Sequence, residues 1–168
     1  MRRVKWISLL MLLGQSVFAS TDFLAQAMND REKAYRGEVI ENAREIQKAP
    51  FFKTHGLLLF FSSQCPYCIQ FAPVVKQYSE RHQAEILALS FDNRPLPSFP
   101  QFIPASKEWV AAAFGNTAIS YPALFIVNPK TKAIYPVSTG AYAYSELNQM
   151  MNNMIETING YEAEKAIR

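Results

Sequence analysis

Gly56-Leu57-Leu58-Leu59-Phe60-Phe61-Ser62-Ser63-Gln64-Cys65-Pro66-Tyr67-Cys68-Ile69-Gln70-Phe71-Ala72-Pro73 is the decisive stretch of this 168-residue chain. Its first six residues form a short continuous apolar run, as expected of a central strand buried on both faces. From Cys65 a helical pattern runs to about Arg81, with Cys68, Phe71, Val75 and Tyr78 on one stripe. Pro73 falls inside that pattern and should kink the helix, because the proline ring removes one backbone bond. The chain has only two cysteines, and both lie at this strand-to-helix junction.

Two intervening residues place both sulfurs in the first turn of one helix. Unpaired backbone N–H groups and the helix dipole there stabilise negative charge on Cys65. Cys68 lies one turn further in, on the apolar stripe, and is expected to be the less exposed thiol. Pro66 occupies a first-turn position where the missing N–H costs no backbone bond. The arrangement suits thiol–disulfide exchange, in which one thiolate attacks a disulfide and a second thiol resolves the mixed disulfide. Cys65 is read as the attacking residue and Cys68 as the resolving one, with the two forming a redox-active disulfide.

Other uses of the pair fit less well. A purely stabilising bridge would close a loop of about four residues and constrain the unfolded chain by only roughly 2 kcal/mol. Structural zinc needs four ligands, and only His55 and His82 could join the thiolates, without the paired spacing of a zinc site. No bound metal is expected, and exchange between thiols calls for no cofactor. Met150, Met151 and Met154 lie at helical spacing among Leu147, Ile155 and Ile158 and read as core fillers rather than copper ligands.

Residues 1–19 read as a signal peptide. Arg2, Arg3 and Lys5 form a charged start, Trp6 to Leu13 an apolar stretch, and Val17-Phe18-Ala19 a small-residue cleavage site. The apolar run is about 13 residues, short of the roughly 20 that span a bilayer. The whole chain has 17 Lys+Arg and 14 Asp+Glu, but three positive charges belong to this leader. The remainder balances at 14 against 14, which argues against nucleic acid or an anionic membrane as partner. Removing 19 of 168 residues leaves 149, the size of one domain that needs no disulfide staple.

Residues 20–49 carry a helical pattern through Leu24, Met28, Tyr35, Val39, Ala43 and Ile46, which Gly37 could split and Pro50 should stop. This N-terminal extension is either packed, the reading favoured here, or a projecting arm. Ile86–Phe91 reads as a further apolar strand. Pro95, Pro97, Pro100 and Pro104 make residues 93–104 an irregular loop, a rigid connector or a docking rim. Ser106–Phe114 suggests a short helix, and Ala123–Val127 and Ala133–Val137 two strands joined by a hairpin-length loop. A last amphipathic helix follows Gly140, and residues 161–168 are a C-terminal tail.

Strand, C-x-x-C, then a helix with Pro73 five residues after the second cysteine resembles the thioredoxin superfamily. Ser120-Tyr121-Pro122-Ala123-Leu124-Phe125-Ile126-Val127 resembles that family's second signature, a cis-proline opening a later strand opposite the cysteines. The likeness implies an α/β fold over residues 50–160: a central mixed sheet flanked by helices, with the helical extension preceding it. It further implies that Pro66, Tyr67, Tyr121 and Pro122 line the substrate groove beside Cys65. Many members carry a buried acid six residues before the first cysteine; Leu59 stands there, so the resolving step should be slow or assisted by another group. Gln64 replaces the family's frequent tryptophan.

Signal, size and helical extension together are similar to the TrbB-type periplasmic thiol–disulfide isomerases of F-type conjugative transfer systems. That resemblance implies a periplasmic protein, free of the membrane once the signal is removed. Its partners would be disulfide-containing periplasmic substrates, conjugative pilus assembly components among them, and a redox partner that resets the pair. A dithiol reductase or oxidase for other clients, as in cytochrome c maturation, and a non-catalytic scaffold of the transfer apparatus are the competing readings.

Overall fold

The computed structural model describes residues 18–167, with side chains described at 26–40, at 48 and from 50 to 165. The signal expected at 1–19 lies outside them, apart from the Phe18 and Ala19 backbone that opens the first helix. The chain divides into two compact units, one ending at Ala43 and one spanning Arg44–Arg168. Helix α1, Phe18–Phe51, runs through that division.

In the first unit α1 is uninterrupted at Gly37, and a methyl group added there would meet nothing within 4 Å. One glycine costs a helix only about 1 kcal/mol, too little to end a long one. Met28, Tyr35 and Val39 of the expected packing stripe are exposed, Met28 by 72 %. The apolar periodicity of this segment therefore marks a helix but not a covered face.

The second unit is built on a five-stranded mixed sheet in the order β3-β2-β1-β4-β5. Its strands are β1 Gly56–Phe61, β2 Ile86–Ser90, β3 Ile103–Pro104, β4 Ala123–Asn128 and β5 Ala133–Thr139. The sheet is parallel across β1–β2 and β2–β3, and antiparallel across β1–β4 and β4–β5. The helices are α2 Pro66–His82, α3 Lys107–Phe114 and α4 Tyr144–Ile167. This is the thioredoxin-like fold expected from the sequence.

Strand β1 is apolar throughout because both of its faces are covered. Leu57, Leu59 and Phe61 point to one core with Phe71, Val75 and Tyr78 of α2 and Leu147, Met151 and Ile155 of α4. Leu58 and Phe60 point the other way, to a smaller core with Leu89, Phe114 and Phe125. The period-two alternation of a strand sorts a uniform apolar run onto two faces. Phe60, Phe114 and Phe125 pack edge-to-face around one point, with centroids 5.1–5.6 Å apart. Each such fully buried side chain contributes roughly 1.5–3 kcal/mol.

Helix α2 runs on past Pro73 to His82, as expected. Three details depart from the sequence expectations. Pro50 lies inside α1, which ends one residue later at Phe51; Phe51 and Phe52 are buried in the larger core. The proline-rich segment is not wholly irregular: Leu96 bridges Phe99, and Ile103–Pro104 pair with Leu89–Ser90 as β3. Proline is tolerated there because β3 is an edge strand, where an unpaired position needs no N–H. Helix α4 continues through residues 161–167, the segment expected as a tail.

Candidate functional site

Strand β1 ends at Phe61, and the chain turns through Ser62–Gln64 before α2 begins. The Cys65 N–H donates to the Ser62 carbonyl at 3.2 Å and closes this turn. Cys65 is the N-cap of α2, with extended backbone at φ −80° and ψ 117°, and Pro66 opens the helix. Its Sγ accepts a hydrogen bond from the Cys68 N–H at 3.3 Å. A cysteine sulfur thus takes the place that a serine or aspartate oxygen usually fills at a helix start, on the positive end of the helix dipole.

The two thiols differ sharply in setting. Cys65 is half-buried, whereas Cys68 is 1 % exposed and faces the larger core. Burial pushes the Cys68 thiol up to about 12, aided by its hydrogen bond with Cys65 and by the negative charges of Cys65 and Asp92; the Ser62 backbone opposes the rise. At neutral pH Cys68 is therefore a protonated thiol beneath a more accessible sulfur.

The second expected signature reaches the same place. The Tyr121–Pro122 peptide bond is cis, and Pro122 is buried ahead of β4. The Cys65 thiol lies 3.9 Å from the Tyr121 carbonyl. The Tyr121 ring leans on Phe91, with centroids 5.3 Å apart, yet remains 45 % exposed. Tyr67 and Ile69 from α2 and Ile119 from the loop before Tyr121 are exposed as well. Pro66 and Tyr67 thus lie on one side of Cys65, and Tyr121 and Pro122 on the other. This surface is exposed. A cavity of about 970 Å³ lies elsewhere, against Gly56, Glu85, Trp109 and Lys130 at the opposite end of β1, and touches neither cysteine.

Leu59 is buried between its β-partners Ala88 and Leu124, so no carboxyl enters the core at that point. Sequence reasoning passed over a carboxylate that approaches from β2. Asp92 follows the end of that strand, and the pairing of Phe91 N–H with the Phe61 carbonyl at 2.9 Å carries it alongside Ser62 and Ser63. Its Oδ2 accepts from Ser63 Oγ at 2.7 Å, Ser63 N–H at 2.9 Å and Ser62 Oγ at 3.0 Å. Ser90 Oγ donates to Oδ1 at 2.9 Å. Burial works against the charge, but these donors outweigh it and hold the carboxyl well below the usual carboxylate range. The only signal in the sequence was the pair of serines just before the motif, and serines in turns are too common to be diagnostic.

Neither histidine belongs to this site. His55 stacks on Phe51 at 4.1 Å and meets Glu162 and Asn128 through Nε2. His82 ends α2, which at 1.5 Å per residue places it roughly 24 Å along the helix from Pro66. Among the described residues, no three His, Cys, Asp or Glu side chains come together as a metal-binding group.

Residues 23–152 match the family described as F plasmid transfer operon protein, TraF. The chain is similar to Protein TrbB of Escherichia coli (strain K12), with 25 % identity over 126 residues, 75 % of this chain and 67 % of that one. Among solved structures it is similar to DsbF of MTB in its mixed oxidized and reduced forms. That likeness has a TM-score of 0.41 and 24 % identity, covering 61 % of this chain and 81 % of the other. For StoA from Bacillus subtilis the values are 0.40 and 16 %, with coverage of 58 % and 82 %. No helix among the described residues is long and apolar enough to cross a membrane.

Proposed function

Because this chain belongs to the TraF family of F plasmid transfer operon proteins, we propose that it is a periplasmic thiol–disulfide oxidoreductase serving conjugative transfer. Its principal activity in this reading is isomerisation of disulfides in pilus assembly components. The observation that carries the proposal is the division between the two thiols: an accessible Cys65 at a helix start and a buried, protonated Cys68 beneath it.

The reaction follows from that division. The Cys65 thiolate attacks a client disulfide; the Cys65–client S–S bond forms, the client bond breaks, and a client thiolate leaves. From the mixed disulfide two exits exist. A different client thiolate can attack the client sulfur bound to Cys65, forming a new client disulfide and releasing Cys65 unchanged, with no net electron transfer. Alternatively Cys68 loses its proton to solvent and attacks Cys65 Sγ. The Cys65–Cys68 disulfide then forms, the client leaves as a thiol, and two electrons have passed to it. A resolving thiol kept protonated by burial, with leucine at position 59, slows the second exit relative to the first. Slow resolution favours an isomerase.

Trapping tests the reading. Cys68→Ser should accumulate mixed disulfides on Cys65 in cells carrying the transfer system, identifiable after non-reducing electrophoresis. Cys65→Ser should accumulate none. Absence of any adduct on the Cys68→Ser protein, or full transfer function in the Cys65→Ser strain, would reject the proposal.

A further inference from the structure

Helix α1 runs for 34 residues, and every residue from 28 to 40 is exposed. A helix in water draws most of its stability from packing one apolar face, and here such a face is left uncovered. At 3.6 residues per turn, Met28, Tyr35 and Val39 fall within an arc of about 40°. All three side chains are exposed. Arg31 and Glu38 border this stripe on one side and Arg36 on the other, while Glu32 lies within it, one turn after Met28. We propose that the stripe is a homodimer interface: two copies of the chain pair their α1 helices antiparallel along residues 28–39. This inference goes beyond the exchange reading and does not depend on it.

The charges commit the stripe to a second copy and fix its direction. Residues that border an apolar seam select the partner and its orientation through the charges they meet. In an antiparallel pair each border faces the same border of the other helix; in a parallel pair it faces the opposite one. Antiparallel pairing that seats Met28 against Val39 of the second copy brings Arg31 beside Glu38 of that copy, and by symmetry the reverse. It also sets each Glu32 carboxylate against a Tyr35, whose hydroxyl can donate to it. A parallel pair in register would instead place Glu32 on Glu32 and Arg31 beside Arg36, two like-charge contacts. Within its own helix Glu32 already holds Arg36 at 2.6 Å. Arg31 and Glu38 have no opposite charge three or four residues away, the spacing at which helical side chains meet. The helix therefore leaves two opposite charges for a partner, placed where its own reversed copy satisfies both.

Sedimentation equilibrium of the full chain tests the interface, under reducing conditions so that no disulfide between two Cys65 residues imitates it. The wild type should weigh as a dimer at concentrations of about 10–100 μM. Arg31→Glu turns both Arg31–Glu38 contacts repulsive and should raise the dimer dissociation constant about tenfold. Glu38→Arg should do the same. The two substitutions combined in one chain restore the attraction with its sign reversed, and should return the constant to within about threefold of the wild type. A parallel pair behaves differently: there R31E relieves the clash with Arg36 and tightens the dimer. A wild type that stays monomeric at about 100 μM overturns the inference, and capture of that monomer by anionic lipid vesicles would assign the stripe to a membrane surface instead. A dimer indifferent to R31E and E38R also overturns it, because the contact then lies on another face. So does a dimer that R31E tightens.

Discussion

Cys65 Sγ accepts the Cys68 N–H at 3.3 Å, so the Cys65 sulfur caps the helix that holds Cys68. One contact thus ties the first sulfur to the helix start and sets the second one turn deeper, where burial keeps it protonated. The asymmetry of the pair is built into the first turn of α2.

That asymmetry makes stability fall at alkaline pH. In the unfolded chain the Cys68 thiol ionises at its ordinary value near 9.0, while in the folded chain it keeps its proton up to about 12. The folded state binds the extra proton between these values, so this contribution is complete below pH 9 and lost as pH rises towards 12. Tyr135, raised by burial and by Glu162 and Tyr161, acts in the same direction. Under reducing conditions the unfolding free energy of the wild type should fall with pH about 1.4 kcal/mol per unit more steeply than that of Cys68→Ala over this window. Parallel curves would contradict the assignment.

Leu59→Glu should restore a proton-carrying group to the core face that Leu59 shares with Cys68. The substitution buries a polar group at a position 1 % exposed and should cost roughly 3 kcal/mol by denaturant unfolding. The resolving step in single-turnover reduction of a mixed disulfide should become several-fold faster. Leu59→Gln, similar in size but unable to carry the proton, should not accelerate. An unchanged rate in the glutamate variant would show that the missing acid is not limiting.

Tyr121→Ala should separate client binding from folding. The ring is 45 % exposed and gives up one aromatic contact, with Phe91, worth about 1 kcal/mol. Because the backbone carbonyl of Tyr121, not its ring, approaches the Cys65 thiol, KM for a peptide disulfide should rise several-fold with kcat nearly unchanged. A loss confined to kcat would place Tyr121 in the chemical step instead.

Asn128→Ala should do the reverse. Asn128 donates to Glu162 at 2.9 Å, and its Oδ1 accepts from Lys130 N–H and Thr131 N–H in the β4–β5 turn. Losing these buried bonds should cost about 2–3 kcal/mol in denaturant unfolding while the rate of Cys65 attack stays within twofold. A comparable fall in that rate would mean that the turn is coupled to the exchange site.

Much of this protein was legible in the residue order. Gly56–Phe61 as a strand, the helix after Cys65 and the strand after Pro122 depend on local periodicity and on what proline does to its neighbours. Those effects act within a few residues, so a linear reading captures them. The roles expected of Cys65 and Cys68 likewise follow from their spacing at a helix start. Tertiary structure decided what depends on residues distant in the chain. Ile103–Pro104 becomes a strand only because Leu89 and Ser90 offer an edge to pair with. Met28, Tyr35 and Val39 have the spacing of a packed face, but periodicity cannot say whether a surface exists to cover it. Asp92 joins the cysteine site because Phe91 pairs with Phe61, across 30 residues, and brings its carboxylate to Ser62 and Ser63. Spacing along the chain singled out the cysteine pair; only pairing between strands could set the charge beside it.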